Sequence, residues 1–480
     1  MQTVVGGSGR HGNANSVYHW HSEPSFTNLS RKMQSSRTGA ARSGRSVPAS
    51  GAGESRQRKP CRTRNTLGIL KSGQVLAQLA RRETARSSMS RYFSRSEYER
   101  RWQKAEALMA ERGFETAVVF SRGGGTTDNC GDVLYLANHY SVSGGTDSTI
   151  WSARSFSAVI LRRGQEPELH IDEPEGRADL LAVDRVACHN HPFIGVAEAL
   201  VAMGVTGRVA LCGTQFIPVK YYQQLVSRTP GIEWVEADDL IRSLRRIKSA
   251  EELDCYRIAG EAATEATTVL MQGLLSGLSE REAAGEAARV TVARGGRVQA
   301  IGTNHGDTMQ YDYRNPLTGS SADTPAVGDM VRGTVHAAFF QGYYLDPGRT
   351  AVRGTPTADQ RRLIEATNDI VQRLIGMMRP GARLLDVAAE GDRMTQAFGG
   401  EISPLMKNFP FYGHGIGLSF EQPRISTAMS LPGDVVEENM VFGVEAFLAL
   451  EGVGSAFFED IVIVTAGTPE LLTRTPHYFW

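Results

Sequence analysis

The sequence has few cysteines, no net charge and no long apolar run. Its five cysteines in 480 residues are scattered and form no CxxC pair, so we expect neither a disulfide framework nor a cysteine-based zinc site. Its 52 Lys and Arg residues balance 52 Asp and Glu residues, which gives no general argument for a nucleic-acid or membrane partner. No stretch approaches the ~18 apolar residues of a spanning helix. The composition predicts a reduced, cytoplasmic protein.

Acidic residues are scarce in the first 88 residues. This segment has 15 Lys and Arg against 3 Asp and Glu, and it is rich in Ser, Arg and Gly. Such a composition buries too little apolar surface to offset chain entropy, so residues 1–88 are predicted to be a disordered basic extension. Two interpretations stay open: an organelle transit peptide, which this composition superficially resembles, and an extension without function ahead of a later start codon.

Two ordered domains are predicted after this extension. In residues 89–243, short apolar runs alternate with helical patterns, which is typical of an α/β domain. In residues 244–480, capping boxes begin helices after Ser249, Ser279 and Thr357. Strands and loops follow the first two of these helices. This second pattern favours an α+β layer, with helices on one side of a mostly antiparallel sheet.

Four acidic or imidazole side chains fall in apolar, strand-like surroundings of the second domain. They are Asp346 in GYYLDPGRT, His414 in GHGIGL, Glu445 in VFGVEAF and Glu459 in FFEDIV. Buried carboxylates are costly unless they are paired or bind a metal. Oxygen-rich ligation with one imidazole suits a divalent ion such as Mn, Co, Fe or Zn and does not suit a structural zinc. The residues alone leave open that each acid pairs with an arginine, for instance Asp346 with Arg349.

The order of these motifs resembles metallopeptidase family M24, which includes Xaa-Pro aminopeptidases, prolidases, methionine aminopeptidases and creatinase. The resemblance also includes KSAEEL at a helix start and covers nearly all of residues 247–480. It implies a pita-bread fold for the second domain, preceded by the family's smaller α/β domain. It also implies a homodimeric hydrolase with one or two divalent metal ions. By motif, the family's metal ligands match Asp346, His414, Glu445 and Glu459.

One metal-ligand position departs from the family pattern. Where the family places its first metal-binding aspartate, this chain has the neutral Thr334, and the spacing to Asp346 is one residue longer. His336 lies two residues further along the same predicted strand and would face the same side. We therefore expect either that His336 replaces the missing ligand or that the first metal is absent. A plain core or surface role for His336 is the remaining alternative.

The resemblance implies proton-transferring histidines at two positions that this chain alters. The segment RNP at 314–316 stands where creatinase has His-Asn-Pro. His305 is therefore predicted to replace that histidine as a catalytic residue, beside His414 and Glu445. Arg314 is predicted to bind an anionic substrate group because arginine stays protonated, and Glu421, at the second position, to contact substrate. The alternatives are a surface or dimer-contact role for Arg314 and an ion-pair role for Glu421.

The sequence thus predicts an M24-family hydrolase that cleaves a C–N bond in a short peptide or amide, as prolidases and Xaa-Pro aminopeptidases do. One alternative is an enzyme of the same fold with other chemistry, either a metal-independent amidinohydrolase similar to creatinase or a lyase similar to the dimethylsulfoniopropionate lyases. The Glu-x-Pro sequence at 421–423 and the longer spacing from Thr334 to Asp346 favour the lyase. Another alternative is a catalytically inactive binding protein.

Overall fold

The computed structural model describes residues 92–123, 131–141, 155–172, 179–399, 401–402 and 409–480. The predicted disordered extension lies outside these residues. The described part contains two sheets, each with helices packed against it. Within this part, no helix has both the length and the apolar character that crossing a bilayer requires.

The first sheet has six strands in the order β4-β3-β2-β1-β5-β6. The strands are β1 (Thr116–Arg122), β2 (Phe156–Arg162), β3 (Glu168–Ile171), β4 (Arg185–Cys188), β5 (Gly207–Cys212) and β6 (Ile232–Glu236). The helices are α1 (Arg95–Glu111), α2 (Gly131–Ala137), α3 (Pro192–Ala202), α4 (Val219–Arg228) and α5 (Asp239–Arg245). β2 pairs antiparallel with β1 and β3, and the other neighbours are parallel. This is the predicted α/β pattern.

The second sheet has ten strands, seven of them in the order β13-β12-β14-β15-β10-β8-β7. The strands are β7 (Arg297–His305), β8 (Met330–Phe340), β9 (Tyr343–Leu345), β10 (Gly348–Val352), β11 (Glu401–Ile402), β12 (Gly413–Ile416), β13 (Phe420–Arg424), β14 (Val441–Leu450), β15 (Gly454–Ile463) and β16 (Glu470–Leu471). The helices are α6 (Ala250–Ser276), α7 (Glu280–Ala293), α8 (Ala358–Ile375) and α9 (Leu384–Phe398). Every described strand pair in this sheet is antiparallel.

The predicted capping boxes set the starts of α6, α7 and α8. In each helix the side chain of the cap residue accepts a hydrogen bond from the N–H of the third helical residue. The side chain of that third residue in turn accepts from the backbone N–H of the cap residue. α1 differs because Ser94 accepts from the Glu97 N–H while the Glu97 carboxylate binds Arg101. The three boxes are confirmed, and at α1 a buried ion pair takes the place of the returning bond.

Close packing of α6 on β8 fixes one edge of the second sheet. A Cβ on Gly333 would lie 2.8 Å from Leu270 Cδ2, so a larger residue here would require the Leu270 side chain to move. The same apolar core continues to Trp102 and Leu136 beside the first sheet. A separate core joins α8 and α9 to β14 and β15. Through these two cores the helices pack against the second sheet.

A buried ion network links α2, α5 and β13. Arg245 donates from Nη1 to Asp132 Oδ1 at 2.6 Å and from Nη2 to Glu421 Oε1 at 2.5 Å. Lys248 Nζ lies 3.2 Å from Glu421 Oε2, and the Leu418 N–H also donates to Glu421. Burial alone would raise the pKa of Glu421, but Lys248 and Arg245 override it and hold that pKa below its ordinary value. Donors occupy both carboxylate oxygens, which favours the ion-pair role of Glu421 over the predicted substrate contact.

Removing one member of this network leaves uncompensated buried charge. We expect Glu421→Gln to lower the free energy of unfolding by about 3–5 kcal/mol. The matched control is Glu470→Gln, which removes the exposed pair with Arg257 and should cost under about 1 kcal/mol. Urea unfolding of both variants measures the difference, and equal losses would contradict a structural role for Glu421.

Candidate metal centre

The predicted metal ligands lie on adjacent strands of the second sheet. Glu445 on β14 is the direct cross-strand partner of Glu459 on β15, so the two carboxylates share a face. His414 on β12 pairs with Gly443, two residues before Glu445, and therefore faces the same side. Asp346 lies in the short link between β9 and β10. Residues 113 positions apart in the chain are thus brought to one place by strand pairing.

The four side chains converge on one atom of the histidine ring. His414 Nε2 lies 3.5 Å from Asp346 Oδ2, 3.8 Å from Glu445 Oε1 and 3.8 Å from Glu459 Oε1. One donor atom from each of Asp346, His414 and Glu459 lies within 4.8 Å of the others, and all three residues are buried. This spacing suits donors around a common cation.

Two oxygens in this cluster have no hydrogen-bond partner among the described residues. They are Asp346 Oδ1 and Glu459 Oε1, and both are cut off from solvent. A buried carboxylate oxygen without a partner is costly. The His414 ring is also oriented as in metal-binding histidines. Its Nδ1 donates to Gly415 O at 3.1 Å, so the Nε2 lone pair faces the carboxylates. The donor set therefore fits a divalent ion.

The pKa values of the carboxylates follow from their crowding. Burial raises the pKa of Glu445 to about 7; the charge of Asp346 adds to the shift and His414 opposes it. Burial and the charges of Asp346 and Glu445 hold the pKa of Glu459 well above its ordinary value. For Asp346 burial acts in the same direction, but His414 overrides it and keeps the pKa low. Without a cation, these acids cannot all be ionised at neutral pH.

An arginine partner for Asp346, the alternative that the residues alone left open, is excluded by the placement of Arg349. Arg349 Nη2 binds Asp460 Oδ1 at 2.5 Å, with both side chains fully buried. Asp460 follows Glu459 in the strand and so faces the other side of the sheet. Arg349 also donates from Nη1 to the backbone oxygen of Glu459 at 2.7 Å. The arginine thus anchors the strand behind the cluster and does not pair with the cluster's own acids.

A glycine makes room for the Glu459 carboxylate. A Cβ on Gly443 would lie 2.4 Å from Glu459 Oε1. A side chain at this position would therefore displace the Glu459 carboxylate from its place in the cluster. Sequence reasoning missed this requirement, although the glycine stands two residues before Glu445 in the motif that identified the ligand.

The altered position Thr334 lies in the same cross-strand row as Glu459 and Glu445. Thr334 pairs with Gly348, and Gly348 pairs with Glu459. The Thr334 hydroxyl lies 3.2 Å from Nε2 of His336, whose Nδ1 lies 2.8 Å from the Tyr344 hydroxyl. His336 is not one of the three groups whose donor atoms converge. A neutral cluster of hydroxyls around one imidazole therefore stands beside the carboxylates.

Two tyrosines complete this neutral cluster, and sequence reasoning missed both. Tyr313 OH lies 3.4 Å from His336 Nε2, and Tyr344 comes from β9. The buried Arg332 binds the backbone oxygens of Tyr311 and Asp312 and so holds the loop that carries Tyr313. Burial keeps the pKa of His336 below its ordinary value, which favours a neutral imidazole. The signal for Tyr344 was its place two residues before Asp346; no sequence signal pointed to Tyr313.

His305 and Arg314 lie away from the metal cluster. His305 is three residues from Gly302, the partner of Thr334, so it faces the opposite side of β7. Its Nδ1 lies 2.7 Å from Glu280 Oε1 on α7. Arg314 binds Asp323 at 3.0 Å and the His305 backbone oxygen at 3.1 Å. The structure does not bring these predicted catalytic and substrate-binding residues to the carboxylates, because strand alternation and a local loop turn them elsewhere.

Comparison with known proteins agrees with this geometry. Residues 254–466 match the model of metallopeptidase family M24. The chain is 26% identical over 264 residues to the Xaa-Pro dipeptidase of Pyrococcus horikoshii, which covers 54% of this chain and 71% of that protein.

Solved structures match over a longer stretch. The prolidase from Pyrococcus horikoshii superposes with a TM-score of 0.64 at 19% identity and covers 78% of this chain and 99% of its own. Aminopeptidase P from E. coli gives a TM-score of 0.60 at 17% identity, covering 80% and 97%. At these identities the likeness shows the fold, the predicted pita-bread arrangement. The chain is therefore a hydrolase that carries a metallopeptidase family M24 domain over residues 254–466.

Proposed function

We propose that this protein is a metal-dependent hydrolase that cleaves a C–N bond in a short peptide or amide, as the Xaa-Pro dipeptidases it is similar to do, with a single divalent ion. The ion is Mn, Co, Fe or Zn, and its ligands are Asp346, His414, Glu445 and Glu459. The observation that carries the proposal is that one donor atom each from Asp346, His414 and Glu459 lies within 4.8 Å of the others. In addition, Asp346 Oδ1 and Glu459 Oε1 have no hydrogen-bond partner among the described residues.

The charge of the donor set supports one ion. Asp346, Glu445 and Glu459 supply three negative charges, and His414 supplies a neutral nitrogen. In a two-ion centre a further carboxylate is expected at position 334, but Thr334 is neutral and its hydroxyl faces His336. Both His336 ring nitrogens already face hydroxyl groups. A second divalent ion would therefore meet neutral groups that are occupied with one another.

The residues around the ion have separable tasks in this proposal. The ion supplies Lewis acidity for activating water and polarising the scissile carbonyl. Glu445 accepts and returns the proton at its carboxylate, since it is the acid of the cluster that lies outside the 4.8 Å group of Asp346, His414 and Glu459. Phe420, whose ring centre lies 4.5 Å from that of His414, keeps water from one side of the imidazole. Gly415 O fixes the ring orientation.

One observation favours a second candidate, a lyase or amidinohydrolase on the same fold. His336 and the hydroxyls of Tyr313 and Tyr344 form a proton-exchanging cluster where the family's first metal site is expected. Such a cluster suits acid–base chemistry on a small substrate. Retention of four ligands argues against an inactive binding protein.

Metal stoichiometry tests the single-ion site. We expect about one equivalent of a transition metal per chain by elemental analysis of the purified protein. Asp346→Asn and Glu459→Gln should each lower the bound metal at least about tenfold, because each removes a charged ligand. The control is Glu286→Gln, whose exposed carboxylate pairs with Arg289. Two tightly held ions would show that the interpretation of Thr334 is wrong.

Substrate assays test the reaction. The metal-loaded chain should release proline from Xaa-Pro dipeptides, and EDTA should abolish the release. Glu445→Gln should lower kcat per bound metal by about 10²-fold or more, since it removes the proton acceptor. If the enzyme with its metal site fully occupied cleaves no dipeptide, the proposal is wrong. Turnover of creatine or dimethylsulfoniopropionate would favour the second candidate.

The raised pKa values predict pH-dependent metal binding. Metal binds the ionised carboxylates, so protons compete with it. Glu445 is protonated below about pH 7 in the metal-free protein. Its contribution to the stability of the metal-free fold is present below its unfolded pKa and is lost as the pH rises through 7. The apparent metal affinity should therefore increase between pH 6 and 8, by up to about tenfold per pH unit for each proton displaced.

Calorimetric titration with Mn²⁺ at pH 6, 7 and 8 measures this dependence. The increase in thermal stability on adding Mn²⁺ should grow over the same range. The variant Glu445→Gln should show a shallower slope, because it has one proton fewer to displace. An affinity that does not change between pH 6 and 8 would contradict the raised pKa of Glu445.

A further inference from the structure

Tyr313 lies across β7 on the face of the second sheet that carries the metal cluster. A Cβ on Gly302 would overlap the Tyr313 ring and would lie 2.6 Å from Thr334 Oγ1, so the ring and the threonine hydroxyl share one face. Gly302 pairs with Thr334, which lies in the same cross-strand row as Glu459, and direct cross-strand partners point to the same side. The tyrosine thus fills the space that a missing side chain leaves in line with the carboxylates.

Hydrogen bonds fix the backbone on both sides of Tyr313. The residue before it is held by the buried Arg332, which donates from Nη2 to Asp312 O at 2.7 Å. The residue after it is held on β7, because the Arg314 N–H donates to Thr303 O at 3.0 Å. A side chain whose backbone is anchored at both neighbours keeps its position without rearrangement. The hydroxyl of Tyr313 is therefore preorganised at the site.

The hydrogen bonds of the neutral cluster use every proton except that of the Tyr313 hydroxyl. Thr334 Oγ1 donates to Gly302 O at 3.4 Å, so it accepts from His336 Nε2. A neutral imidazole has one N–H; with that proton on Nε2, Nδ1 accepts from the Tyr344 hydroxyl. Because Nε2 carries a proton, its 3.4 Å contact with Tyr313 makes the phenol oxygen an acceptor. Among the described residues, the Tyr313 O–H proton has no acceptor.

The Tyr313 hydroxyl is also close to a metal ligand and keeps its proton at neutral pH. Burial raises the pKa of Tyr313 above its ordinary value, and the charges of Asp312 and Asp346 raise it further. The effect of Asp346 means that its carboxylate acts on the phenol through space. A protonated hydroxyl with no acceptor in the protein can stabilise negative charge that develops on a nearby oxygen.

We propose that Tyr313 is a catalytic residue whose O–H donates a hydrogen bond to the scissile carbonyl oxygen as that oxygen becomes negatively charged. This inference rests on the proposed function, since it adds a residue to the same site. Water adds its oxygen to the carbonyl carbon, Glu445 carries a proton from the water to the leaving nitrogen, and the C–N bond breaks. Tyr313 keeps its proton throughout. A neutral donor thus stands on the side of the site where the family pattern places its first metal ion.

The variant Tyr313→Phe removes the donor and keeps the ring. We expect it to lower kcat for alanyl-proline about 10²- to 10³-fold in the Mn²⁺-loaded chain. KM should change less than about threefold, because the hydrogen bond strengthens only in the transition state. The variant should bind as much Mn²⁺ as the parent chain. The control Tyr222→Phe, an exposed tyrosine on α4, should keep the parent kcat. An unchanged kcat in Tyr313→Phe, or loss of its Mn²⁺, would overturn the proposal.

A binding measurement separates the failure of this proposal from the failure of the proposed reaction. Dimethylphosphinate has the tetrahedral shape and the charged oxygens of the hydrolytic transition state. By calorimetry, the Mn²⁺-loaded parent should bind it about 10- to 100-fold more tightly than Tyr313→Phe does, the range of one hydrogen bond to a charged group. If no dipeptide is cleaved, the proposed function fails, and this difference still supports the donor role. Equal affinities, or no binding to the parent, would overturn the donor role whatever the reaction.

Discussion

Three buried carboxylates share one small space, and the second sheet is arranged around that constraint. Asp346, Glu445 and Glu459 are each within 4 Å of the same histidine nitrogen. Burial of one such group already costs several kcal/mol of free energy unless it is compensated. Among the described residues, Arg349 binds Asp460 on the other face, and Arg424 forms no ion pair with the cluster although its charge opposes the rise in the pKa of Glu445. Protonation of Glu445 and Glu459, or a positive charge from outside the chain, relieves the repulsion.

Strand alternation provides this separation of charges. The adjacent acids Glu459 and Asp460 point to opposite faces, so one enters the cluster while the other binds Arg349 and anchors the strand. Gly443 leaves the space that the Glu459 carboxylate fills. The same alternation places His305 against α7. Residues of similar chemistry thus acquire different tasks from their position in the strand.

Much of this could be predicted from the sequence, because local patterns carry it. The capping boxes fixed the starts of three helices, and acids within apolar strand patterns identified Asp346, Glu445 and Glu459, which the structure gathers around His414. The predicted domain boundaries and site roles stay predictions. The pairing of Arg424 with His414 could not be predicted, because an irregularity after His414 shifts the register of β13. The face of a residue there depends on pairing and not on spacing. The neutral cluster depends likewise on a loop that returns Tyr313 to β8.

The pairing of Glu445 with Glu459 has a consequence for the life of the protein in the cell. When both are ionised, like charges directly opposite each other weaken the strand pair at the centre of the sheet. In the proposed metal-bound state an ion would offset that repulsion and so act as a component of the fold. Chains made during metal starvation would open more often along β14 and β15 and be degraded sooner. Metal supply would then set the abundance of this protein through turnover, before any effect on catalysis.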